Sequence, residues 1–157
     1  MYDYGWGVPK DDAEAVKWWR KAAEQGYADA QNRLGMMYSM GRGVPKNYAK
    51  AFKWYRKAAE QGDADAQDSL GFSYEYGDGV PKDDVTGYAW YNVAAASRYD
   101  KALTNRDRVR RTLTPSQLAT GQVMAREIYE RGPNSERLAK PIEQRKAAGV
   151  ADRSPVS

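Results

Sequence analysis

Any chemistry on this chain would have to work without histidine or cysteine, because its 157 residues contain neither. That removes imidazole general bases, thiolate nucleophiles, the commonest nitrogen and sulfur metal ligands, and structural disulfides. Carboxylates remain, as the pairs Asp11/Asp12 and Asp83/Asp84. Both stand just after Pro-Lys turns, where a helix is expected to start, so N-capping and the helix dipole account for them better than acid–base work. Three Gly-x-Gly stretches, at Gly5, Gly41 and Gly77, look superficially like phosphate cradles. They follow helical rather than strand pattern, and neither the P-loop nor the dinucleotide fingerprint is present, so they read as turns. Trp18, Trp54 and Trp90 could stack bases or sugars, but their regular recurrence reads as core. Trp19 departs from this, since Tyr55 and Tyr91 replace it in the later copies. No catalytic residue, cofactor or metal is expected. Arg106, Arg108, Arg110 and Arg111 form the sharpest charge cluster. It reads either as a solvated helix paired to Asp100 or Asp107, or as a patch for an acidic partner.

These residues are positioned by a repeat. Pro9, Pro45 and Pro81 are spaced 36 residues apart, as are Trp18, Trp54 and Trp90. A fixed period between about 20 and 50 residues marks stacked supersecondary units, here an all-α solenoid of antiparallel helix pairs. One helix of each pair is predicted over 11–25 and 48–61, opened by Asp11, Asn47 and Asp83 as N-caps and closed by Gly26 and Gly62. It buries Ala15, Trp18, Trp19, Ala22 and Ala23 in its first copy. Its second copy buries Ala51, Trp54, Tyr55, Ala58 and Ala59, with Lys50, Lys53, Lys57 and Glu60 opposite. The other helix is predicted over 28–40 and 64–76. Gly35 and Gly71 lie inside it, where glycine costs about 1 kcal/mol relative to alanine, so close approach of a neighbouring helix is expected there.

Comparing the two copies of that helix separates scaffold from specificity. Ala30, Gln31, Leu34, Gly35 and Tyr38 recur as Ala66, Gln67, Leu70, Gly71 and Tyr74 and fall on one face. Asn32, Met36, Ser39 and Met40 change to Asp68, Phe72, Glu75 and Tyr76 and fall on another. The expected partner-binding residues are Asn32, Met36, Met40, Asp68, Phe72, Glu75 and Tyr76: exposed Met and aromatic groups with a polar rim, suited to a protein or peptide. Packing between neighbouring helices is the competing reading of the same pattern.

The third copy marks where the array stops repeating. Lys53, Lys57 and Glu60 become Ala89, Val93 and Ala96, so a solvated face turns apolar and something is expected to cover it. A helix over Asp100–Leu113 and a capping helix from Thr114 to about Arg131, with Leu118, Ala125, Ile128 and Tyr129 near one side, are the candidates. The expected organisation is therefore repeats over 1–98 (a half repeat 1–26, then 27–62 and 63–98), capping helices over 99–131, and a disordered tail over 132–157. The halved first repeat suggests a piece of a longer array, or an edge open to self-association. The net charge of +4 is uneven: 1–97 holds 12 Lys/Arg against 14 Asp/Glu, and the excess of base lies in the C-terminal part. Nucleic-acid binding is not expected of slightly acidic repeats without a recognition motif. No apolar run reaches the ~20 residues of a membrane span, and no signal peptide is evident.

The repeated words are specific. Ala-Asp-Ala-Gln-x-x-Leu-Gly-x-x-Tyr, then Gly-x-Gly-Val-Pro-Lys and Ala-x-x-Trp-Tyr-x-x-Ala-Ala-x-Gln-Gly, resemble the Sel1-like repeat, a relative of the tetratricopeptide repeat, over roughly residues 1–98. The stretch Ala89–Arg131 is similar to the terminal region of bacterial members. The resemblance implies a right-handed superhelix whose concave side is lined by the helices at 28–40 and 64–76. It also implies an adaptor role, often in exported or periplasmic proteins. A cysteine-rich branch of the family, linked to penicillin binding, is excluded by the absence of cysteine.

Overall fold

The computed structural model describes residues 11–97 and 99–131. The expectations for the half repeat before Asp11, for Arg98 and for the tail fall outside them. Within them the chain forms α1 (Asp12–Glu24), α2 (Ala28–Met40), α3 (Tyr48–Glu60), α4 (Ala64–Tyr76), α5 (Asp84–Ala96), α6 (Asp100–Arg110) and α7 (Pro115–Arg131), with no strand among the described residues. Each helix packs on its sequence neighbour from α1 to α6, and α7 returns to pack along α5. The fold is an all-α repeat solenoid.

Capping sets the helix starts. Asp11 Oδ1 accepts from the amides of Ala13 and Glu14, Asn47 from Lys50, and Asp83 from Thr86. Thr114 and Gln117 complete a reciprocal box, each side chain accepting the other's backbone N–H at 3.1 and 2.9 Å. At the far ends of α2 and α4, Gly41 and Gly77 take left-handed conformations with φ of 66° and 70°. The second glycine of each loop has a packing reason instead. A Cβ on Gly43 would meet the Asp12 carbonyl oxygen, and one on Gly79 the Tyr48 carbonyl oxygen. The Gly-x-Gly loops at Gly41 and Gly77 therefore lie on the first turn of the preceding repeat's second helix, which a phosphate cradle would leave open.

The recurring residues hold the repeats together. Gly35 makes room for the Tyr55 ring, whose Cε1 lies 2.7 Å from where a Cβ would stand, and Gly71 does the same for Tyr91 Cδ1 at 2.5 Å. Gln31 and Gln67 donate their amides to the carbonyls of Ala23 and Ala59, closing the C-terminal ends of α1 and α3. Alanines with no exposed surface, Ala58, Ala59, Ala66, Ala89, Ala94 and Ala102 among them, let the backbones approach.

Three packing expectations need correction. Trp90 is buried and Trp54 partly so, but Trp18 is 52% exposed, with the Lys21 ammonium 5.6 Å over its ring. The buried copy, Trp90, lies on α5, the helix along which α7 packs. Of the face that turns apolar on α5, Ala89 and Val93 are buried, whereas Ala96, in the last turn, is exposed. On α7 the buried residues are Gly121, Met124, Ala125 and Ile128, while Tyr129 points outward at 61% exposure. Leu118 is half-buried against Tyr88, Tyr91 and Val109.

Candidate functional site

Helices α2 and α4 stand apart, each resting on α3, and a groove of about 380 Å³ lies between them. Met36, Ser39 and Met40 of α2 form one wall. Asp65, Asp68, Ser69, Phe72 and Ser73 of α4 form the other, and Ala51 and Tyr55 of α3 form the floor. Tyr48, Asp78 and Lys101 close its rim. Helical spacing produces this alignment: Met36 and Met40 are one turn apart on α2, as are Asp65, Ser69 and Phe72 on α4.

The large apolar residues singled out from the repeat comparison are all exposed: Met36 by 38%, Met40 by 49%, Phe72 by 46% and Tyr76 by 54%. Met36, Met40 and Phe72 share the groove. Tyr76 lies in a neighbouring cavity of about 410 Å³ with Glu75, Lys82, Asp84, Arg108, Val109 and Thr112. The Phe72 and Tyr76 rings meet at 4.4 Å between centroids, so the apolar strip runs from one cavity into the next.

The polar residues are placed differently from the expected rim. Asn32 and Asp68 are buried, with 2% and 3% of their surface accessible. Asn32 donates its amide to Asp65 Oδ2 at 3.1 Å, and its Oδ1 is buried without a partner. Asp68 Oδ1 accepts from Asn105 Nδ2 at 2.8 Å. Glu75 accepts from Tyr91 Oη at 2.6 Å and from the Arg108 guanidinium at 2.7 and 2.9 Å. These side chains differ between copies because α6 supplies partners to α4 that α4 cannot supply to α2. The difference between copies reports the end of the array as well as the groove.

Burial sets the electrostatics here. It pushes the Asp68 carboxyl above its usual range, with the Asn105 hydrogen bond and Lys101 opposing and Asp65 adding to the rise. Tyr55 in the groove floor is raised to about 12, chiefly by desolvation. Tyr91 is raised by burial and by donating to Glu75, and Arg108 by its bond to the same carboxylate. All of these tyrosines are neutral hydrogen-bonding groups at ordinary pH.

The arginine cluster divides. Arg108 belongs to Glu75 and also donates to Asn105 Oδ1, and Arg106 donates to Asp107 and Asn92. Arg110 and Arg111 are exposed and make no ion pair among the described residues. A patch of four free guanidiniums is therefore not what the helix presents.

The groove residues not singled out in the sequence are Tyr48, Asp65, Ser69, Ser73, Asp78 and Lys101. Most were within reach of the same comparison, because Tyr48 replaces Asp12 and Asp84, Asp78 replaces Arg42, and Ser69 replaces Arg33. Asp65 was not, since Asp29 stands at its position in the preceding copy. No group of three or more acidic side chains that could hold a metal occurs among the described residues, and none of their helices is long and apolar enough to cross a membrane.

Repeated helix pairs joined by glycine loops, with a groove between their first helices, define a solenoid of the kind that generally serves as a protein-interaction scaffold rather than a catalyst. The chain belongs to the Sel1 repeat family, whose model matches residues 1–27, 28–63 and 64–99. It is similar to the crystal structure of a protective antigen of uropathogenic Escherichia coli with an SLR fold. The TM-score is 0.74 at 35% identity over 92% of this chain and 30% of that one. It is also similar to a Sel1 repeat protein from Oxalobacter formigenes, with a TM-score of 0.63 at 43% identity over 67% of this chain and 43% of that one. The chain thus spans less than half the length of either structure. No curated protein matches it.

Proposed function

We propose that this chain is a non-catalytic adaptor that captures a segment of a partner protein in the groove between α2 and α4, on the concave side of the solenoid. The observation that carries this reading is the exposed strip Met36, Met40, Phe72 and Tyr76, built from positions where the repeats disagree. Recurring positions are consumed by packing: Leu34, Leu70, Ala30 and Ala66 are buried, and Gly35 and Gly71 hold tyrosine rings. Large exposed apolar side chains beside polar groups are the composition of a recognition surface, and methionine adapts to the shape it meets. The groove has room for a few side chains of an extended or helical segment, read as spaced anchors. Replacing Phe72 and Tyr76 together by alanine should reduce partner capture from a cell lysate, quantified by mass spectrometry, by tenfold or more, since buried aromatic anchors are worth about 2 kcal/mol or more each. The helical signal and unfolding midpoint should stay close to those of the parent chain. Unchanged capture would remove the groove from consideration.

A further inference from the structure

We infer that the groove is selective for partner segments that carry a basic side chain, arginine above all, next to their apolar anchors. The inference rests on the groove reading and narrows it to a class of partner. Its basis is the contrast between the groove's lining and the rest of the surface. Three carboxylates line the groove, Asp65, Asp68 and Asp78, against one cation, Lys101. Lys46 stands near Asp78 but holds its ammonium 4.7 Å over the Tyr48 ring. Elsewhere over residues 11–97 the charges balance, 11 Lys/Arg against 10 Asp/Glu, with exposed lysines at 17, 21, 53 and 57 on α1 and α3.

The two carboxylates on α4 are held only by neutral donors. Asp65 accepts from Asn32 Nδ2 on one oxygen and from Tyr99 Oη at 2.9 Å on the other, and Asp68 accepts from Asn105. No lysine or arginine forms an ion pair with either among the described residues. They sit three residues apart on one helix face, and the charge of Asp65 adds to the burial that disfavours ionised Asp68. Acceptors are in surplus here and donors are short. A guanidinium brings five N–H groups and a positive charge, with a stem that can lie along the Met36 and Phe72 side chains.

The test is a selection from a display library of random twelve-residue peptides on the whole chain. Fluorescence anisotropy then follows on the peptides it enriches. Enriched peptides should carry Arg or Lys flanked by Leu, Ile, Met or aromatic residues. Changing that basic residue to Gln should weaken binding about tenfold, and Asp65→Asn in the chain should do the same, in keeping with the strength of charge-assisted hydrogen bonds. Lys101→Glu should tighten binding, and added salt should weaken it. Asp65 is exposed, so its conversion to Asn leaves the fold to be checked by helical signal alone. Peptides without basic residues, or indifferent to Asp65→Asn while still lost on Phe72→Ala, would overturn the charge selectivity and leave the groove standing. Peptides indifferent to both variants, or no enrichment at all, would remove the groove reading and this inference with it. A chain whose mass rises with concentration, and falls back in Lys53→Glu/Lys57→Glu, would give the groove to a second copy and overturn a peptide partner.

Discussion

At the scale of single residues, the division between scaffold and site rests on what fills the space beside each side chain. Gly71 shows it most sharply. A methyl group there would stand within 2.9 Å of three atoms of the Tyr91 ring, which has no exposed surface and nowhere to move. Alanine favours a helix by about 1 kcal/mol, yet overpacking of this kind costs about 1–3 kcal/mol, so packing decides the sign. Gly71→Ala should lower stability by about 1–2 kcal/mol in urea unfolding at unchanged m-value. A stabilised variant would mean that the glycine serves something other than the tyrosine. The cost of mid-helix glycine was legible in the sequence; that a tyrosine ring collects the benefit was not, because its partner stands twenty residues away. Asn32, Asp68 and Glu75 illustrate the opposite failure. Polar type and variation between copies point to a wet rim, but Asn32 is covered through Asp65 of α4, and Asp68 and Glu75 through α6, whose approach no local pattern announces.

Among elements, α6 is the least repeat-like and the most consequential. Its buried residues are Ala102, Asn105 and Val109, and it faces α4 with polar groups, Asn105 to Asp68 and Arg108 to Glu75. Elsewhere the core between repeats is built largely of alanine, leucine and tyrosine, with Asn32 to Asp65 a polar contact between α2 and α4. The Glu75 side chain is 12% exposed and has two donors, Arg108 and Tyr91. Removing the first leaves a largely buried carboxylate under-satisfied, at a cost of about 1–3 kcal/mol. Arg108→Ala should therefore destabilise the chain by that amount and lower amide protection in α6 before α2 or α3. Pairing it with Glu75→Gln should restore part of the loss, because the remaining group is neutral. Equal protection loss along the whole chain would show that α6 is not a separable unit. Helix existence and caps were readable here, from Asp11, Asn47, Asp83 and Thr114. The direction in which α6 leans was not, since its apolar content is low and its interactions are between polar atoms distant in sequence.

In the whole molecule one period produces the frame, and the proposed site is built from its exceptions. Each repeat contacts its neighbours only, so changes in groove residues should leave the rest of the array intact. The five methionines supply the most direct test, because two line the groove, two are buried in the core and Met1 lies outside the described residues. With methyl-labelled methionine, a groove-selected peptide should shift and broaden the Met36 and Met40 signals. The Met37 and Met124 signals, from residues next in sequence and far along the chain, should stay in place. Binding that moves Met37 or Met124 and leaves Met36 and Met40 unchanged would contradict the claim that the non-repeating face is where this protein recognises its partner.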